Sequence, residues 1–394
     1  MSSAEQVIAL IEAGGAHVPG LMARLEERLE VLATSHGALL AEHAGATIRA
    51  GGKRLRPLLV FLAAGDGALD AAEGVVRAAV AVELIHSATL VHDDVLDAAA
   101  LRRGRPTVVA TAGREIATAT GDLLFSRAFA ELAANGRADE IRVLSGASSA
   151  LAEGELLQRE DAWNVEVSPE RYMHRCDLKT GRLFEAACEL GALEGGGDAD
   201  GLGAFGRRIG LAFQVLDDVL DVSGPAERTG KHRGTDLLDG TVTLPLILAR
   251  ERDPALAHLD VRAVRTAAEA EAVCDAIAAT GVLAVAREDA LDMVAGAKGD
   301  LPDLPEAQRA ALELVADATV AELRRRLGSA YTVDELVELY GQGTSWVLDL
   351  AYRVAPEAPW AWDERTIAGA AFARYLRGAS DFAGGRRLES PIRE

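Results

Sequence analysis

The 394-residue sequence predicts an all-α protein. Three observations carry that prediction. Apolar residues recur at three- and four-residue spacing in most windows, strand-like alternation is almost absent, and the helix-favouring residues alanine, leucine, arginine and glutamate dominate. The first element follows from Leu21, Leu25, Leu29 and Leu32, one apolar stripe with Glu26, Glu27 and Glu30 between its members. Similar patterns predict helices over 38–50, 56–66, 72–98, 115–134, 139–158, 169–191, 202–222, 242–251, 270–297 and 305–327. Breaks fall at Gly51-Gly52, at 104–106, at 195–197 and over 223–240. The last break is long, polar and charged, which in a helical domain points to a functional loop. Ten or more helices result.

A composition shift divides the chain near residue 330. The segment 330–394 holds three of the four tryptophans and four of the five tyrosines. The expected organisation is a main domain over 1–329 and an aromatic-rich extension over 330–394, with helical patterns at 332–354 and 363–378.

Charge and cysteine usage narrow the function classes. Acids outnumber bases 61 to 41, giving a net charge of −20. Such a chain lacks the basic face a nucleic-acid binder needs. Cys176, Cys188 and Cys274 have no metal-ligand spacing, and an odd, sparse count fits a reducing, cytoplasmic setting. The first 15 residues carry acids and no basic run, so no secretory leader is expected. The longest apolar segment, 74–91, is broken by Arg77, Glu83 and His86, so it reads as a buried helix rather than a membrane span. Only four bases are lysine, namely Lys53, Lys179, Lys231 and Lys298, which makes their positions informative.

The pentapeptide Asp-Asp-Val-Leu-Asp occurs twice, at 93–97 and 217–221, each time at the C-terminal end of a long apolar helix pattern. Residues i and i+4 share a helical face, so Asp93 stacks with Asp97 and Asp217 with Asp221. Acids near a helix C-terminus oppose the macrodipole and repel each other, unless a cation lies between them. Oxygen-only ligands suit a hard ion such as magnesium, which shares phosphate oxygens and keeps several waters. Basic motifs accompany both copies. Gly51-Gly52-Lys53-Arg54-Leu55-Arg56-Pro57 precedes the first, and Arg102-Arg103-Gly104-Arg105-Pro106-Thr107 follows it. Lys179-Thr180 lies on another helix pattern, Gln214 shares the stripe of Asp217 and Asp221, and Lys231 lies in the polar loop. Bases and carboxylates in this combination describe a metal-bridged polyphosphate.

With these motifs in this order, the sequence resembles the trans-isoprenyl diphosphate synthase family, also called polyprenyl synthetases, from about residue 20 to 327. Phe213-Gln214 and the segment 240–247, with Leu-Pro at its centre, belong to the resemblance. It implies the isoprenoid synthase fold, a bundle of mainly antiparallel helices around a central cavity, and a homodimer. It implies a magnesium-dependent prenyltransferase that joins isopentenyl diphosphate to an allylic diphosphate. Asp93, Asp97 and Asp217 would hold the metal, assisted by Asp218 and Asp221. Asp93, Asp94, Asp97, Lys179, Asp217 and Asp218 form the implied catalytic set. Arg102, Lys179, Thr180, Gln214 and Lys231 would contact the allylic diphosphate. Lys53, Arg56, His86 and Arg103 would bind isopentenyl diphosphate. One departure stands out: Thr241 occupies a position where the family often has a lysine.

Two alternatives share the acidic logic. The first is a class I terpene cyclase or a squalene-type condensing enzyme, and the basic site of Lys53, Arg56 and Arg103 argues against a cyclase, which needs no second diphosphate. A partner subunit or scaffold of a heteromeric synthase needs no pair of intact aspartate motifs. Small residues before the first motif, Ala88 and Thr89, predict an open tunnel and a product of twenty carbons or more.

Overall fold

The computed structural model describes residues 11, 14–35, 38–49, 54–102, 104–224 and 233–327, and its helices follow one another with little else between them. The compact unit runs Gln6–Arg326. The aromatic-rich segment 330–394 lies outside the described residues.

The first helices are α1 (Val18–Thr34), α2 (Ala38–Arg49), α3 (Leu55–Ala64) and α4 (Ala72–Leu96). After α4 comes a two-strand ribbon, β1 (Leu101–Arg102) paired antiparallel with β2 (Arg105–Pro106). Then follow α5 (Val108–Ala112), α6 (Arg114–Ala133), α7 (Ala138–Glu160), α8 (Pro169–Cys176), α9 (Arg182–Gly195) and α10 (Ala199–Ser223). The remainder comprises α11 (Thr235–Leu238), α12 (Leu244–Arg252), α13 (Pro254–Ala257), α14 (Ala267–Ala279), α15 (Val282–Gly299) and α16 (Glu306–Leu327).

Short links join α6 to α7 and α9 to α10, which turns each pair antiparallel. α4 is apolar on all sides and packs against α1, α3, α6 and α9, as a central helix must. It is long and apolar enough to cross a membrane, yet 72% of its most apolar window is buried inside the bundle. The one acid deep in α4, Glu83, is 5% exposed and accepts from Arg54 at 2.5 Å. Arg54 also binds Glu26 at 2.7 Å and the Ile48 carbonyl at 3.0 Å. Arg54 of the Gly-Gly-Lys-Arg segment therefore ties α1, α2 and α4 together. On the far side α9 packs on α3 and α10, and α10 on α15.

Two sequence expectations need correction. The pattern over 270–297 is two helices, because Gly281 at φ 74° starts α15 in a left-handed conformation that side-chain-bearing residues rarely adopt. The pattern over 169–191 is interrupted by a π-helical turn, Asp177–Gly181, between α8 and α9. Helical periodicity alone cannot distinguish that one-residue widening. All three cysteines are buried free thiols, and burial pushes those of Cys176 and Cys188 up.

Candidate active site

The end of α4 carries the first acidic motif. Asp93 is half-buried, and burial pushes its carboxyl up to about 6; Glu155 and Asp97 add repulsion, while Lys179 and Arg102 oppose it. Asp94 faces inward, 6% exposed, and accepts from Arg102 Nε at 2.8 Å. Asp97 caps the helix and accepts from Arg159 Nη2 at 2.5 Å. The β1–β2 ribbon folds back on this end because Thr107 Oγ1 donates to the Ala99 carbonyl at 2.5 Å. The same hydroxyl accepts from Ala110 N at 3.2 Å and so caps α5. Arg103 lies outside the described residues.

The π turn holds Lys179 and Thr180. Such turns inside helices often mark functional positions. Asp177 fixes it from behind, accepting from Arg207 Nε at 2.5 Å and Nη2 at 2.7 Å. Lys179 Nζ donates to Glu155 at 2.5 Å and to Gln158 at 3.1 Å. Thr180 Oγ1 donates to Gln214 Oε1 at 2.7 Å, and Gln214 Nε2 donates to Asp218 Oδ1 at 2.8 Å. Tyr172 OH donates to the other oxygen of Asp218 at 2.7 Å. One chain of hydrogen bonds thus links the π turn to the second acidic motif.

The three acids of that motif have separate surroundings. Asp217 is exposed. Asp218 is 5% exposed, and burial pushes its carboxyl up to about 7, against the donors Tyr172 and Gln214 and the nearby Arg175, with Asp217 adding to the rise. Asp221 accepts from the backbone of Thr235 at 3.2 Å and Asp236 at 3.3 Å, which caps α11. Asp218 therefore belongs to a buried network, and Asp221 holds the first backbone amides of α11. Lys231 lies outside the described residues.

The expected isopentenyl diphosphate set is described in part. Arg56, at the start of α3, lies over the Phe184 ring at 4.6 Å, and burial pushes its guanidinium down to about 10 against the pull of Glu83. His86 is half-buried, two turns before Asp93 on α4. Lys53 lies outside the described residues.

Two cavities meet here. A polar one of ≈ 230 Å³ is lined by Asp97, Arg159, Lys179, Gln214 and Asp218 together with Thr241. An apolar one of ≈ 500 Å³ is lined by Thr89, Asp93, Phe125, Leu151 and Leu156 together with Lys179. Lys179 belongs to both, and Asp93 and Asp97 flank the junction. Ala88 is fully buried and lines neither cavity, so of the two small residues only Thr89 faces the space.

Sequence reading missed Glu155, Arg159, Tyr172 and Arg175. Glu155 and Arg159 stand at i,i+4 and are bonded at 2.7 Å. Tyr172, Arg175 and Lys179 recur at helical spacing, a signal that leads to the same wall.

A divalent cation fits the donor set. Asp93, Asp97 and Glu155 concentrate negative charge around a partly buried carboxyl, and all the ligand atoms on offer are oxygens. Among the described residues no three acidic, histidine or cysteine side chains converge into a complete metal site. An acidic mouth, a polar cavity with cations and an adjoining apolar cavity define a helical enzyme for an amphiphilic polyphosphate.

Comparison with known proteins gives that class its family. The family profile described as "Polyprenyl synthetase" matches residues 38–280, and the chain belongs to this family of trans-prenyltransferases. The chain is 40% identical over 266 residues to heptaprenyl diphosphate synthase component 2 of Geobacillus stearothermophilus, covering 66% of this chain and 83% of that one. It is 37% identical over 272 residues to octaprenyl diphosphate synthase of Escherichia coli (strain K12), with the same coverages of 66% and 83%. Among solved structures, the polyprenyl synthase of Caulobacter crescentus CB15, complexed with calcium and isoprenyl diphosphate, is similar at TM-score 0.72 and 35% identity, over 82% of this chain and 98% of that one.

Proposed function

We propose that the chain condenses isopentenyl diphosphate head to tail with an allylic prenyl diphosphate, giving a longer trans-polyprenyl diphosphate of twenty carbons or more. The observation that carries this reading is the polar cavity opening beside an apolar one, with Lys179 common to both. An allylic diphosphate has that same two-part chemistry.

In this reading the diphosphate lies in the polar cavity and the prenyl chain runs past Thr89. Asp93, Asp97 and Asp217 would hold magnesium, with Asp218 and Asp221 behind them, and the ion would supply charge neutralisation for a departing diphosphate. Lys179 places its ammonium at the bridge between headgroup and chain, where negative charge grows as the carbon–oxygen bond breaks. Thr180 and Gln214 orient the same headgroup, with Asp218 and Tyr172 fixing the amide of Gln214. Arg102 joins when the ligand draws it from Asp94. The apolar wall excludes water from the allylic cation. The double bond of isopentenyl diphosphate, held by Arg56 and His86 with Lys53 and Arg103, attacks that cation. A proton then leaves to the departed diphosphate. Lys231 would contact the same headgroup.

Thr89 is the residue that supports a long product, since a small side chain there leaves ≈ 500 Å³ of apolar space next to Asp93. We assign residues 1–329 to the synthase and 330–394 to an appended segment, in keeping with the compact unit ending at Arg326. We place the enzyme in the cytoplasm as a homodimer, and sedimentation of the full chain tests the assembly. The function is tested by incubating the protein with isopentenyl diphosphate, magnesium and a series of allylic primers. Incorporation into a longer prenyl diphosphate is expected, and no incorporation with any primer refutes the reading. Asp93→Ala and Lys53→Ala are both expected to lose activity.

A further inference from the structure

Glu155 of α7 holds two cations at once. Its Oε2 accepts from Lys179 Nζ at 2.5 Å and its Oε1 from Arg159 Nε at 2.7 Å. One carboxylate thus sets an ammonium from the π turn beside a guanidinium from its own helix. Glu155 and Arg159 stand at i,i+4, so they share one face of α7. Arg159 Nη2 reaches on to Asp97 Oδ1 at 2.5 Å, so the same guanidinium borders the first aspartate motif. Arg159 and Lys179 both line the polar cavity, together with Asp97, Gln214 and Asp218.

A guanidinium has five N–H donors. The contacts of Arg159 use one on Nε and one on Nη2. Its Nη1 has no hydrogen-bond partner among the described residues, and the side chain is 40% exposed, so donors remain open to a ligand. Arg175, the other arginine lining this cavity, is different: it is 3% exposed, donates to the Val242 carbonyl and pairs with the buried Asp161. We propose that Arg159 is a diphosphate-binding residue, the second cation of a pair that Glu155 presents to the polar cavity. The inference rests on the diphosphate reading of this cavity. Two cations side by side match two linked phosphates, with Lys179 a point charge and Arg159 a planar fork. Glu155 is the positioning residue. It orders both side chains before the ligand arrives, so less of their freedom is lost on binding.

Calorimetric titration of the full-length protein with inorganic pyrophosphate, over a series of magnesium concentrations, tests this without turnover. Arg159→Met is expected to weaken pyrophosphate binding by about tenfold, the worth of one charge-assisted hydrogen bond. The loss is expected to persist at saturating magnesium, because Arg159 touches the phosphate itself. An Arg159 that served only to orient Asp97 would act through the metal, and more magnesium would then restore the affinity. Arg159→Gln, which keeps a polar side chain at this half-exposed position, is expected to show the same loss and carries the test if the methionine variant fails to fold. The proposal is overturned if either folded variant binds pyrophosphate as tightly as the parent. It is also overturned if the loss disappears as magnesium reaches saturation. An unmodified protein that binds no pyrophosphate at any magnesium concentration refutes instead the diphosphate reading of the cavity.

Discussion

Tyr172→Phe removes one oxygen atom from the centre of the site and leaves the ring in place. The phenol is fully buried and donates at 2.7 Å to Asp218, which is itself 5% exposed. A hydrogen bond to a carboxylate contributes about 1.5–3 kcal/mol, and nothing among the other described donors to Asp218, Gln214 Nε2 at 2.8 Å included, replaces it. In a unit as large as Gln6–Arg326 each kcal/mol corresponds to roughly 1.5 °C, so the melting temperature is expected to fall by about 2–4 °C. The chemistry suffers too. Asp218 itself is then held from one side only, by Gln214, so the carboxylate and the amide that orients Thr180 and the headgroup can turn together. A loss of about 1.4 kcal/mol in the transition state lowers turnover tenfold, and at least that is expected. Thermal unfolding by circular dichroism and steady-state turnover are the two readouts. A variant with the parent's melting temperature and turnover would refute the network as the support of the site.

Further outcomes follow from other parts of the structure. Thr89→Phe, which fills the apolar cavity beside Asp93, is expected to shorten the product, as read by chromatography of the dephosphorylated chains; an unchanged length distribution counts against that cavity as the chain tunnel. Ala88→Phe is expected instead to destabilise by about 1–3 kcal/mol, since Ala88 has no exposed surface and lines neither of these two cavities. Glu140 is fully buried, and burial together with the neighbouring Glu194 pushes its carboxyl up to about 8 from 4.5. The folded form then binds the proton more tightly than the unfolded chain, so stability falls as pH rises between those values. Glu140→Gln is expected to flatten that fall, and parallel urea midpoints for the two proteins from about pH 5 to about pH 8.5 would contradict the assignment. Gly240→Ala is expected to destabilise by about 1–3 kcal/mol in a urea titration, because φ is 76° and an added methyl collides with the Trp163 ring.

Much of this was legible in the sequence because helices advertise themselves. α4 shows as an apolar run with a single acid, Glu83, between its first turn and the motif, and α10 as a pattern ending in Gln214, Asp217 and Asp221. The aspartate motifs were visible as repeats. Their separate environments were not. Only packing distinguishes Asp218, beneath Tyr172, from Asp217 at the surface, one residue away. The π turn at Lys179 was hidden for a related reason: Arg207 of α10 fixes it from 30 residues away by gripping Asp177. Glu155, Arg159 and Arg175 looked like ordinary charges on helix faces. They became site residues when α7 and α8 brought Arg159 and Arg175 to the polar cavity and Glu155 to the apolar one. Part of Lys53, Arg56, His86 and Arg103 followed from the resemblance alone, and Arg56 proves to lie over an aromatic ring rather than in open solvent.

The central claim is that headgroup and prenyl chain occupy two adjoining cavities that share Lys179. The most direct measurement is a crystal structure with magnesium and a non-hydrolysable allylic thiolodiphosphate. The account predicts the diphosphate between Asp93, Asp97 and Asp217, within contact of Lys179, and the prenyl chain running past Thr89 into the apolar cavity. A ligand whose chain points away from Thr89, or whose headgroup touches neither aspartate motif, would contradict it.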